Sequence, residues 1–252
     1  PDKYFSMYPK AELKFTPASL EFWKTVPKLA QTKRYGGFGF EFGVENDDLR
    51  RDYMQAYHAC ISFIDAQVLV MVNALKESGH WEDTIVILTS DHGYLLGEKF
   101  MWGKVMLFET CDRVPLIVRV PESVEGTETI PGSTSEGIVE LVDLYPTLGD
   151  LCGVTLPKEL QGRSLKPMLE DPKVGGKDFA YTVVSRGKDL GRAIRTQRYR
   201  YTSWATGEEL YDLQNDPLEE TNIANVVKSR KLIAQMRKHL AQVEIRASGK
   251  KR

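Results

Sequence analysis

Long hydrophobic runs are missing from this sequence. No apolar stretch reaches the ~20 residues of a membrane span. The most apolar one, Cys60 to Leu75, is broken by Asp65, Gln67 and Asn73, so no span is expected. A charge excess is missing too: 34 basic residues stand against 35 acidic ones, a net charge of -1. That balance offers no global field for nucleic acid or an anionic membrane. Cysteine is scarce. Cys60, Cys111 and Cys152 are odd in number and widely spaced, which excludes a disulfide framework or a zinc knuckle. Cys60 is expected as a small core residue on the apolar side of a helix. There is no Asn-x-Ser/Thr sequon, no H-E-x-x-H, no C-x-x-C, no G-x-S-x-G and no signal-peptide pattern. The nearest thing to a phosphate loop, Gly97 to Lys104, puts five residues between its glycines and Val105 where Ser or Thr is required.

What is present is a chain of 252 residues, 42% hydrophobic and 27% charged, enough for one large or two small domains with a real core. Residues 1–46 are aromatic and rich in Pro and Gly, and read as a connecting region with a short helix near Pro17–Trp23. Tyr35 to Phe40 reads as a plain loop. Over 47–77, Leu49, Tyr53, Tyr57, Cys60, Ile64, Val68, Met71 and Leu75 recur at helical steps. Asn46 or Asp47 is placed to cap this helix and Ser78-Gly79 to end it. His58 lies at the edge of its apolar stripe as a packing residue, and His80 and His239 carry no ligand-like spacing.

Thr84 to Leu88 is short, β-branched and apolar on both faces, the pattern of a central parallel strand. Pro115–Val120 is a second buried strand. Gly137–Asp150 suits a short helix broken near Pro146. Phe179–Ser185, Ala193–Thr196, Tyr199–Trp204 and Glu209–Leu213 are short candidate strands, Tyr199–Trp204 half-buried and antiparallel with Arg198 and Arg200 on one face. Val226–Val243 is a terminal helix carrying Ile233, Met236 and Leu240, and Gly249–Arg252 a solvated end. The fold class expected is α/β: part of a doubly wound, mostly parallel sheet over residues 1–165, then a small α+β subdomain with an antiparallel sheet and terminal helix over 166–252.

Directly after the first buried strand stands Thr89-Ser90-Asp91-His92-Gly93. Ligands of open α/β sheets sit beyond the carboxyl ends of strands, which puts Asp91 and His92 on the functional rim; Gly93 is expected to ease the turn. Lys104, in Met101-Trp102-Gly103-Lys104, is expected to face the same cleft. Carboxylate, imidazole and ammonium together suit a metal and an oxyanion. Two ligands are too few for a hard divalent ion. Arg186, Lys188, Arg192, Arg195, Arg198 and Arg200 read as solvated strand faces, with a surface for a sulfated polysaccharide as the alternative.

Thr89 to Gly93, Leu96-Gly97-Glu98, Trp102-Gly103-Lys104, Phe108-Glu109 and Arg113 to Ile117 resemble the C-terminal half of a sulfatase. Val142 to Leu148, Arg195 to Tyr201 and Glu209 to Pro217 are similar to that family's later segments, and Tyr4 to Tyr8 with His92 lean toward its iduronate-2-sulfatase branch. The resemblance implies sulfate-ester hydrolysis by a formylglycine nucleophile, with calcium polarising the sulfate. It makes Asp91 and His92 calcium ligands and Lys104 the sulfate-contacting catalytic lysine. It also implies a periplasmic, secreted or lysosomal setting and a sulfated small molecule or glycan as partner. No cysteine here begins the family's Cys-x-Pro-x-Arg motif, and its first carboxylate pair is absent. The chain is therefore expected to be an inactive C-terminal portion that needs the N-terminal half of the same enzyme. The alternatives are a phosphatase, phosphodiesterase or phosphonate hydrolase of the same superfamily, and a non-catalytic sulfated-glycan-binding protein.

Overall fold

The computed structural model describes residues 1–15, 18–32 and 34–247. The tail at Gly249–Arg252 and the Pro17 start of the first expected helix lie outside them. Two one-turn or two-turn helices open the chain, α1 (Asp2–Phe5) and α2 (Leu20–Thr25), and Arg34–Phe38 forms a 3-10 turn. Then comes α3 (Asp47–Glu77), as its periodicity predicts. Asn46 Oδ1 accepts from the Leu49 N–H at 3.1 Å, and Asp47 and Asp48 sit in the positive first turn. Gly79 closes the helix at φ +81°, a left-handed conformation glycine adopts without penalty.

Of the α3 side chains, Arg50 and Ala59 are buried. Ile61, Ile64, Leu69, Val70 and Met71 are 52–72% exposed, and Cys60 is exposed rather than part of a core. The apolar stripe exists, but among the described residues nothing covers much of it. By length and composition α3 is also apolar enough to cross a membrane. The interrupting Asp65, Gln67 and Asn73 lower the mean less than the reading of separate short runs assumed.

Strands β1 (Val86–Thr89), β2 (Leu95–Leu96) and β3 (Trp102–Gly103) follow, then α4 (Glu109–Asp112) and β4 (Leu116–Arg119). β1 and β4 pair antiparallel, Val86 opposite Arg119 and Thr89 opposite Leu116. The first is expected from sequence as a central parallel strand and both as members of a mostly parallel sheet, and among the described residues neither has a parallel partner. The connection explains this. The stretch between them, residues 90–115, is long enough for a parallel crossover, but it is folded into the β2–β3 hairpin and one helical turn rather than into a helix laid on the sheet. An antiparallel strand beside a mostly parallel sheet is common in this α/β class.

α5 (Leu144–Leu151) and α6 (Lys166–Glu170) come next. Pro146 does not break α5. It occupies the first turn, where its missing N–H has no helical partner to lose. Strands β5 (Ala180–Arg186), β6 (Asp189–Arg195), β7 (Tyr199–Trp204) and β8 (Gly207–Asp212) form an antiparallel meander in that order, and α7 (Arg230–Ala247) packs across it. The half-buried reading of β7 needs correction, because both faces are covered. Ile194, Tyr201 and Leu210 meet Ile233, Met236 and Leu240 of α7. On the other side Ala193, Trp204 and Tyr211 join Phe22, Met101, Phe108 and Cys111 in the larger core.

Candidate active site

The backbone leaves β1 through Ser90 and Asp91, and the turn is held locally. Ser90 Oγ donates to the His92 carbonyl at 2.8 Å, and the Gly93 N–H donates to the Cys111 carbonyl at 2.8 Å. Gly93 is needed here for closeness: a Cβ at this position would overlap the Thr110 carbonyl of α4. The segment then turns into the β2–β3 hairpin, with Leu95 opposite Gly103 and Leu96 opposite Trp102. The hairpin is packed and hydrogen-bonded from the N-terminal side. Trp102 is buried and stacks on Phe40 with centroids 4.3 Å apart. Arg50 of α3 donates through Nε to the Leu96 carbonyl at 2.9 Å. The aromatic residues of the N-terminal region thus back the hairpin, and Gly97 to Lys104 forms this hairpin rather than a phosphate loop.

The hairpin returns Lys104 to His92. Lys104 Nζ lies 2.8 Å from His92 Nε2, and His92 Nε2 lies 3.5 Å from Asp91 Oδ2. His92 Nδ1 is 2.8 Å from the Gly93 carbonyl. A carbonyl only accepts and an ammonium only donates, so Nδ1 carries the proton and Nε2 presents its lone pair. A backbone carbonyl on Nδ1 is the usual device for aiming Nε2 at a ligand or metal. The structure thus brings Asp91, His92 and Lys104 together at the end of a strand, though that strand's partner is antiparallel. Two donors fit a share of a calcium site and no more. Among the described residues no group of three His, Cys, Asp or Glu side chains gathers to hold a metal.

The three side chains border a trough of about 1760 Å³, larger than the ~300–1,000 Å³ of a typical small-ligand pocket. Its floor is β4, where Ile117 is 61% exposed. His58, expected as a packing residue, bonds through Nδ1 to the Met54 carbonyl at 2.6 Å and lies against Tyr8.

Behind the site a buried ionic knot joins α4 to the C-terminal sheet. Arg200 is 1% exposed. Its guanidinium meets Glu109 at 2.5 Å, Asp112 at 2.7 Å and Glu219 at 3.0 Å. Arg195 also donates to Glu109 at 3.0 Å. Burial pushes the Asp112 carboxyl up to about 6 and that of Glu219 up to about 7, against the pull of Arg200. Burial also acts to raise Glu109, but two guanidiniums outweigh it and hold it below its ordinary value. Burial raises the Cys111 thiol to about 12, so it is no nucleophile.

This network corrects the reading of Arg195 and Arg200 as solvated residues, while Lys188 and Arg198 are exposed as read. Arg195 and Arg200 are committed to Glu109, and Arg198 forks onto Asp212 at 2.8 and 2.6 Å. Glu109 and Glu219 carry no role in the sequence reading. Alternation along β7 shows which face Arg200 takes, but not that three carboxylates from two distant segments wait there.

The family described as sulfatase matches residues 2–154, and the one described as N-sulphoglucosamine sulphohydrolase, C-terminal, matches residues 97–246. A sulfatase from Formosa agariphila is 30% identical over 236 residues, covering 92% of this chain and 45% of that protein. Iduronate 2-sulfatase from Mus musculus is 29% identical over 253 residues, covering 73% of this chain and 46% of its own length. A structure of a protein solved in complex with its substrate D-glucosamine-2-N,6-O-disulfate superposes with a TM-score of 0.72 at 29% identity, over 81% of this chain and 42% of that one. A phosphonate monoester hydrolase from Silicibacter pomeroyi superposes at 0.84 with 24% identity, over 98% of this chain and 53% of that one, a likeness of fold. The chain spans under half the length of the curated relatives it matches. With the sulfatase family matching residues 2–154, Asp91 to Lys104 included, this chain belongs to the sulfatase family.

Proposed function

We propose that this chain carries one side of a sulfate-ester hydrolase site. The observation that carries this is the meeting of Lys104 Nζ with His92 Nε2 beside Asp91 at the end of β1, in a chain whose relatives are sulfatases. In this reading Lys104 opposes negative charge on the sulfate as the ester bond breaks. A fixed cation of that kind is most effective where charge develops. Asp91 and His92 Nε2 would serve as two ligands of a calcium ion, the Lys104 ammonium then giving up the Nε2 lone pair and turning to the sulfate, with the Gly93 carbonyl holding the imidazole in the right tautomer. When bound, that ion would withdraw charge from the sulfate oxygens. The remaining ligands and the formylglycine nucleophile would come from a further segment. Such a segment would also cover the open trough and the bare stripe of α3, where Ile64 and Met71 face solvent. Exposed apolar patches of this extent mark interfaces. The substrate class is a sulfated sugar or other small sulfate ester.

The test uses the full gene product that carries this chain. It should hydrolyse an aryl or sugar sulfate, and a phosphonate monoester more slowly. Lys104→Ala should lower kcat by about 10²–10³ with folding intact. Lys104→Arg should not restore it fully, because a planar fork does not replace a compact ammonium. Near-normal turnover by the alanine variant overturns the role of Lys104. A preference for phosphonate esters moves the assignment to the phosphonate hydrolases.

A further inference from the structure

We infer that Arg186 is a positioning residue for Lys104. From the last position of β5 it holds the Val105 carbonyl and so fixes the turn that delivers the ammonium to His92. This rests on the reading of Lys104 given above.

The turn is strained. Val105 has φ +68°, a left-handed conformation that is costly for a β-branched side chain. Among the described residues the others with positive φ that are not glycine are Lys99, Phe100 and Glu219, so Val105 is the β-branched member of the set. Strain of this kind persists only where its surroundings over-determine it. Those surroundings are visible. Arg186 Nη2 donates to the Val105 carbonyl at 2.7 Å across 81 residues of sequence, and Nη1 donates to the Ser185 carbonyl at 3.1 Å. The guanidinium carbon lies 5.6 Å from the Trp204 ring centroid. Gly191, opposite Val184 on β6, leaves room for that ring, since a Cβ there would strike it.

The same hairpin uses this device twice. Lys99, at φ +57°, has its carbonyl held by Trp23 Nε1 at 2.6 Å. Both the Lys99 and the Val105 carbonyl are thus pinned by an N–H from another element. Lys104 sits between Gly103, at φ +90°, and Val105. Freeing the Val105 carbonyl therefore lets the backbone on both sides of Lys104 relax, and the ammonium leaves its place over His92.

The test combines strain relief with kinetics in the full gene product. Arg186→Ala should lower kcat on a sulfate ester by about tenfold to a hundredfold, the cost of misplacing a reacting group by roughly 1 Å, with a smaller change in KM. Arg186→Lys, which keeps one donor, should restore part of it. Val105→Gly adopts the left-handed turn without penalty. The double variant should therefore recover most of the rate that Arg186→Ala loses. A double variant no faster than Arg186→Ala overturns the positioning role in favour of direct substrate contact, and wild-type kcat in Arg186→Ala overturns it outright. Hydrogen exchange separates this from the assignment of function. Arg186→Ala should speed exchange of the 103–107 amides and leave β7 and β8 protected. If the wild-type protein turns over no ester, the functional reading fails, and unchanged exchange at 103–107 is then what overturns the clamp.

Discussion

Raising the pH from about 4 to 8 should loosen the joint between α4 and the C-terminal sheet, through Glu219 first and Asp112 beside it. Its carboxylate is boxed in: Oε1 lies 3.0 Å from Arg200 Nε, and Oε2 accepts the Glu109 N–H at 2.7 Å. Lys99 adds a more distant positive charge, and Glu109 a competing negative one. Burial wins, and the group titrates at about 7 in the folded chain against 4.5 in a free one. Between those values the folded state holds a proton that the unfolded state has released. Stability therefore falls as pH rises, with the full contribution present below the unfolded value and lost as pH passes the folded one. At about 1.4 kcal/mol per tenfold ratio, this is worth about 3 kcal/mol. Asp112, raised to about 6, acts in the same direction. The clean measurement compares wild type with Glu219→Gln, which has no proton to lose. The stability of wild type relative to the variant should drop by about 3 kcal/mol between about pH 4 and pH 8. In thermal scans that is about 6–12 °C in Tm for a chain of this size. A difference constant with pH to within about 1 kcal/mol, or one that grows with pH, refutes the reasoning.

Two further outcomes are expected. Gly93→Ala drives a methyl group into the Thr110 carbonyl. It should cost about 1–3 kcal/mol, read as a lower Tm, and should pull His92 away from Lys104; an unchanged Tm would mean that α4 is free to move. By calorimetry this chain alone should bind calcium no more tightly than about 10⁻³ M, because two donors cannot replace a hydration shell. Micromolar binding would show a ligand set beyond Asp91 and His92.

Much of the architecture is legible locally. The steps of three and four from Leu49 to Leu75, with Asn46 before and Gly79 after them, are enough to place α3, since capping and periodicity act within a few residues. The four strands of the C-terminal sheet follow from alternation and from the turn at Asn215 to Pro217. Asp91 and His92 stand out because they follow a β-branched run and precede a glycine. The burial of Cys60 and of the α3 stripe misleads for the opposite reason. Periodicity reveals that a face is apolar, and another part of the molecule must supply the cover.

What the sequence determined by itself is the long helix α3, the strands β1 and β4, the four strands of the C-terminal sheet and the terminal helix, the family resemblance, and the order of chemical groups along the chain. Only the tertiary structure decided the direction of β4, because strand pairing depends on how the intervening chain returns. It also decided that Arg200 is buried among Glu109, Asp112 and Glu219, segments nearly a hundred residues apart in part, whose carboxylates are shifted by a shared low-dielectric interior. Finally it decided what holds Lys104 in place. The motif shows a lysine after a glycine. The clamp from Arg186 to the strained Val105 carbonyl exists only where two distant strands pack together, and no local pattern encodes it.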